Sequence, residues 1–104
     1  MKLTLERLPV GNAKKIKAVF QFADGTRETT QFGDQKYEDY TIHKDKERRA
    51  RYIARHKHDL NTGNYTRAGY LSMYILWNKP TVAWSKMDFV RRIRQNDWSL
   101  PNSK

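Results

Sequence analysis

Apolar residues recur along this chain first with a period of two and later with a period of three to four, and the change divides it into strands and helices. Leu3 and Leu5 alternate with Thr4 and Glu6, predicting a short strand closed by Pro9 and Gly11. From Lys15 the alternation resumes. Ile16, Ala18, Phe20 and Phe22 take one face and Lys15, Lys17 and Gln21 the other, with Val19 the exception. Asp24-Gly25 then marks a hairpin. A two-residue loop there would set Phe32 opposite Lys17, on the polar face. A three-residue loop, Ala23-Asp24-Gly25 with Gly25 left-handed, sets Phe22 opposite Thr26 and Phe32 opposite Ile16, so the bulged hairpin is predicted. The third strand, Thr26 to Phe32, is polar and Thr-rich and reads as an edge or half-exposed strand.

Gly33 to Tyr40 reads as a loop with its own acidity (Asp34, Glu38, Asp39). A first helix begins around His43 to Asp45, with Asp45 and Glu47 suiting the dipole of its first turn. At 100° per residue, Ile42, Ala50, Ile53 and Leu60 share one side, flanked by Arg49 and His56. Lys44, Arg48, Arg51, Arg55 and His58 share the opposite side. Asn61-Thr62-Gly63-Asn64 ends this helix. A second, about Thr66 to Trp77, is apolar nearly all round, and is therefore either central to the core or lent to a partner. Asn78-Lys79-Pro80 stops it. The third helix starts near Trp84-Ser85, with Ser85 as N-cap and Asp88 three residues on. Met87, Phe89, Val90 and Ile93 cover one side of it, and Arg91, Arg92 and Arg94 crowd its C-terminal half. In the tail from Asn96, Trp98 and Leu100 suggest docking. The expected fold is α+β: a small antiparallel three-stranded sheet followed by three helices packed on it. It forms a single domain over 1–104, with a β-meander at 1–33, a helical part at 42–95 and a C-terminal tail at 96–104. Phe20, Phe22, Ile53, Leu71, Ile75, Phe89 and Ile93 are expected to hold the scaffold.

Charge changes the picture more than length does. The net charge is +10 over 104 residues, which opposes compaction and favours polyanions as partners. The absence of cysteine excludes disulfides and thiolate metal sites and fits a reducing compartment. Glu6 and Arg7 interrupt any apolar N-terminal run, so no secretory signal is expected. The apolar run Met73 to Trp77 is far short of the roughly 20 residues that span a bilayer.

The candidate polyanion-binding residues are therefore Lys44, Arg48, Arg51 and Arg55, supported by Arg91, Arg92 and Arg94 and by the Lys14-Lys15-Lys17 cluster. Such a stripe spans roughly 16 Å of helix and could touch several phosphates. The bland alternative is a solvated face, but the stripe holds almost no compensating acid. No helix-turn-helix, zinc-finger or RNP motif points to sequence-specific readout. Among the aromatics, Tyr70, Tyr74, Trp77, Trp84 and Trp98, helical spacing favours burial. Tyr70, Tyr74, Trp77 and Trp98 are also candidates for a protein interface. His43, His56 and His58 lack metal-ligand spacing, so no metal or cofactor is expected. A nuclease would need two acids and a base converging from Asp34, Glu38, Asp39 and His43.

Two blocks carry a family resemblance. One is Phe32-Gly33, Asp39-Tyr40-Thr41, His43-Lys44-Asp45, Arg48-Arg49, Tyr52 and Arg55-His56-Lys57. The other is Ala68-Gly69-Tyr70, Ser72, Trp77-Asn78-Lys79-Pro80-Thr81 and Ser85. Together, over about 32–94, they resemble small basic proteins of unassigned function encoded by large double-stranded DNA viruses of algae and amoebae. The resemblance implies a viral, non-secreted protein found in the virion or inside the infected cell (cytoplasm or virus factory), and it carries over no catalytic residue. The expected function is that of a non-enzymatic structural or packaging protein whose basic helix face binds DNA without sequence specificity. The alternative is a minor capsid or capsid-lining protein that binds acidic virion proteins. Neither reading has a small-molecule substrate, and both leave the oligomeric state open.

Overall fold

The computed structural model describes residues 1–101; residues 102–104 of the expected tail lie outside the described residues. Strands β1 (Lys2–Arg7), β2 (Lys14–Gln21) and β3 (Arg27–Asp34) form an antiparallel meander in that spatial order. Ile16 pairs with Phe32 and Gln21 with Arg27, so the register is the one predicted. In the turn, Phe22 N donates to Thr26 O at 2.9 Å and Gly25 sits at φ +88°. This is the three-residue bulged loop that keeps Phe32 on the apolar face.

Four helices follow among the described residues: α1 (Tyr40–His43), α2 (Lys46–His56), α3 (Ala68–Leu71) and α4 (Val82–Gln95). A 3₁₀ segment (Lys57–Thr62) extends α2, and a π turn (Ser72–Leu76) extends α3. The architecture is α+β as expected, with one helix more because a short helix, Tyr40–His43, precedes the one expected from about His43 to Asp45. Lys44 is left-handed (φ 55°) and ends α1, and Asp45 then caps α2 by accepting from Glu47 N at 3.0 Å and Arg48 N at 3.2 Å. Ile42 falls before the break and is half exposed, off the buried side assigned to it.

The core lies between one sheet face and the α3–π segment. Ile16, Ala18, Phe20 and Phe32 meet Leu71, Met73, Tyr74, Ile75, Leu76 and, from α4, Phe89, all almost fully buried. Each such large side chain contributes about 1.5–3 kcal/mol by leaving water. The helix that is apolar all round is thus the centre of the core. Phe22 and Ile93 are only partly buried against it. The tail docks through Trp98, which packs against Tyr65, Tyr70, Tyr74 and Phe89, while Tyr74 Oη donates to Trp98 O and Ser99 O at 3.1 Å. Leu100 remains exposed.

Two helix faces differ from expectation. On α2 the inward residues are Arg49 and Ile53, with Tyr52 and His56 half-buried beside them, and Ala50 is exposed. Arg49 is 3 % exposed because its Nε donates to Asn78 O at 2.9 Å and its guanidinium lies over the Tyr40 ring. On α4 the cap is Thr81, not Ser85: Thr81 Oγ1 accepts from Trp84 N at 3.1 Å. Ser85 is fully buried and accepts from Lys79 N at 3.0 Å instead. The buried stripe of α4 is Ser85, Phe89 and Arg92, which leaves Met87 in solvent.

Candidate polyanion interface

Asp45 starts α2 so that Arg48, Arg51 and Arg55, spaced three and four apart, look away from the core. Arg48 approaches Glu38 Oε1 only at 3.8 Å, with both side chains about half exposed, and such a pair contributes little. Arg51 and Arg55 have no carboxylate partner among the described residues. Lys44, in the left-handed joint, donates to Thr41 O at 3.1 Å and meets no carboxylate there either.

The stripe borders a concavity that sequence spacing does not reveal. Arg48, Arg51 and Arg55 line a cleft of about 680 Å³ together with Lys14 and Lys15 of β2, and Phe32, Gly33, Gly69, Leu76 and Trp77 contribute to its lining. Two glycines let its walls close up. Gly33 has φ +79°, and a Cβ there would come 2.7 Å from Leu76 Cδ1. At Gly69 a Cβ would come 2.7 Å from Asp59 Cβ. Gly69, a glycine inside an apolar helical pattern, was the signal available in the sequence.

Four carboxylates share this cleft. Asp39 is buried and takes Lys15 Nζ at 2.7 Å, Thr41 N at 2.9 Å and Thr41 Oγ1 at 2.5 Å. Lys15, expected among the exposed cations, is therefore buried: the bare Gly33 backbone leaves room for its stem, and Asp39 holds its charge. Lys17 pairs with Glu6 at 3.1 Å on the outer sheet face. Asp59 lies 3.1 Å from His56 Nδ1 and 3.2 Å from His58 Nε2. Asp34 accepts from Lys36 N at 2.8 Å. Asp34, Glu38 and Asp39 line the cleft, whereas His43 lies outside its lining.

His43 instead accepts from Asp45 N at 2.8 Å through Nδ1 and packs against Tyr40 and Trp77. Burial, then the Arg48 charge, lowers its pKa, so its ring is neutral at pH 7. Among the described residues no group of three or more His, Cys, Asp or Glu could hold a metal ion. One aromatic column backs the cleft: Tyr52 stacks on Trp77 (4.2 Å, 3°) and on His56 (4.2 Å, 21°). Burial pushes the Tyr52 hydroxyl up to about 12, so it stays protonated. Of the aromatics assigned to an interface, Tyr70 and Tyr74 are buried in the core, and Trp77 and Trp98 are half-buried, packed within the chain.

The supporting arginines of α4 divide. Asp88 accepts from Arg92 Nε at 2.7 Å, from Arg91 Nη2 at 2.9 Å and from Asn78 Nδ2 at 2.7 Å. Asp97 takes Arg91 Nη1 at 3.2 Å. Arg92 is buried, lies over the Tyr74 ring at 4.6 Å and donates to Ser99 O at 2.6 Å. Arg92 is thus buried where the tail meets the core, while Arg91 stays half exposed with its charge matched by Asp88 and Asp97. Arg94 is exposed and does not line the cleft.

Burial alone would raise the Asp88 pKa, but hydrogen bonds from Arg92, Asn78 and Arg91 overcome it and hold the carboxyl at about 2. Its folded pKa lies below the unfolded 3.8, so its stabilisation is complete above about pH 4 and disappears as pH falls through 2. Unfolding by urea at stepped pH should show a loss over that window in the wild type to which Asp88 contributes about 2 kcal/mol. Asp88→Asn should lack that part of the loss.

A family model matches residues 5–56, running from within β1 to the end of α2. The chain belongs to that family, a family of unknown function (DUF5754). No curated protein and no solved structure matches the chain. The DUF5754 span includes Lys44 and the cations that line the cleft, Lys14, Lys15, Arg48, Arg51 and Arg55. It stops before α3 and before the Trp77-Asn78-Lys79-Pro80-Thr81 string.

Proposed function

We propose that this DUF5754 protein binds DNA without sequence specificity through the exposed side of α2, as a non-enzymatic structural or packaging component of a large DNA virus. One observation carries the reading. Lys44, Arg51 and Arg55 stand in solvent on and beside one helix with no carboxylate partner among the described residues, in a chain of net charge +10. Such a row holds phosphates by releasing their counterions and reads no base edges. The viral setting, in the virion or the infected cell interior, rests on the resemblance of the two sequence blocks to proteins of those viruses.

A second reading, a minor capsid protein that binds other virion proteins, is supported by a different surface from the one expected. Trp84 (53 % exposed) and Met87 (74 % exposed) lie three apart on α4. This pair replaces Tyr70 and Tyr74 as the apolar contact. The two readings separate by fluorescence anisotropy with two unrelated duplexes. The DNA reading requires about micromolar affinity for both, equal within about threefold. No binding to either at low salt would sink it.

A further inference from the structure

We propose that the cleft beside α2 seats an unpaired nucleotide, so that the protein holds single-stranded nucleic acid in preference to duplex; this rests on the reading of α2 as a phosphate-binding surface. The lining has two chemistries. Lys14, Arg48, Arg51 and Arg55 supply the cations, whereas Gly33, Ala68 and Gly69 supply apolar wall, with the core residues Phe32 and Leu76 buried behind it.

The cations form a row. Along the helix axis Arg48 and Arg51 are about 4.5 Å apart and Arg51 and Arg55 about 6 Å apart. That spacing follows successive phosphates of a strand better than it surrounds one phosphate. Two of the four acids in the cleft are matched at close range, Asp39 by Lys15 and Asp59 by His56 and His58, while Glu38 reaches Arg48 only at 3.8 Å and Asp34 takes the Lys36 amide, so both keep their charge at the rim. Lys14, Arg51 and Arg55 are left to meet a ligand.

Shape then chooses among polyanions. About 680 Å³ lies within the usual size of small-ligand cavities, of roughly 300–1,000 Å³. It admits a base with its sugar and excludes a duplex. A paired base would have to leave its stack to enter, at a cost that a single strand does not bear. Both faces of Tyr52 are covered, by Trp77 and His56. A base therefore meets ring edges and the apolar wall instead of stacking on an open ring, which makes the site one of shape and not of base identity. An acidic peptide would satisfy the cations, but its short carboxylates would leave the wall uncovered.

The test compares oligo(dT) with a mixed-sequence duplex of equal length at one salt concentration, by anisotropy, in the wild type and in Ala68→Met. Ala68 is exposed and lines the cleft, so a longer side chain there takes up cavity space without entering the core, and methionine adds no aromatic face on which a base could stack. The wild type should bind oligo(dT) at least about tenfold more tightly than duplex. Ala68→Met, its fold checked by circular dichroism, should lose most of that preference while its duplex affinity stays within about twofold. Ala68→Val, smaller, should fall between. Equal affinities in the wild type, or a preference untouched by Ala68→Met, would overturn the cleft proposal and leave the reading of α2 standing. Failure to bind either nucleic acid would overturn both. Displacement of oligo(dT) by poly-glutamate at lower concentration than by unlabelled oligo(dT) would assign the cleft to acidic protein instead.

Discussion

Replacing Arg48, Arg51 and Arg55 together with glutamate should lower the affinity for duplex DNA at least about a thousandfold at low salt. Three attractive phosphate contacts are lost and three repulsive ones appear on the same helix face, beside a cleft already holding Glu38 and Asp34. The fold should survive. Arg51 and Arg55 are exposed and without a carboxylate partner among the described residues, and Arg48 gives up only a long contact to Glu38. The cost should be about 1 kcal/mol, mostly from placing a negative charge in the last turn of α2, where the dipole favours cations. Anisotropy gives the affinity, and circular dichroism confirms that helix content is kept. A triple variant that binds normally would remove α2 from the contact surface.

Asp39→Ala should be strongly destabilising, costing about 4 kcal/mol. Asp39 is 2 % exposed, caps α1 and neutralises a lysine that is itself 5 % exposed. Removing the carboxylate strands Lys15 in the interior and frees the Thr41 amide and hydroxyl at once. The lost cap accounts for about 1 kcal/mol of this and the stranded charge for the rest. Adding Lys15→Met should restore most of the loss, because a buried pair replaced by apolar groups is often neutral. Urea unfolding midpoints of the two variants measure both effects. A Lys15→Met, Asp39→Ala double variant no more stable than Asp39→Ala would show that the charge is not what matters.

The strands were legible because one geometric requirement fixed them: Phe32 had to share a face with Ile16, and only the three-residue turn allowed it. The helix faces were less so. On α2 the turn of the buried stripe from Ala50 to Arg49 depends on Asn78 O, 29 residues away, and on the Tyr40 ring. A helical wheel treats a guanidinium as polar and cannot know that its partners wait inside. For α4, Thr81 and Ser85 were both chemically able to cap, and Lys79 settled the matter by occupying Ser85. The neutralisation of Arg91 and Arg92 could have been seen, since Asp88 stands three and four residues before them. The cleft could not: its walls come from β2, β3, α2 and the α3–π segment, which only tertiary packing brings together. Gly33 and Gly69 were visible as glycines, but nothing local said which side chains would close on them.

The most direct measurement is the salt dependence of duplex binding by the wild-type chain, taken as the slope of log K against log salt. With Lys44, Arg48, Arg51 and Arg55 each displacing a counterion, the slope should be about −3.6, at roughly −0.9 per phosphate neutralised. A slope near zero, or binding that strengthens with salt, would mean that phosphates are not what these side chains meet.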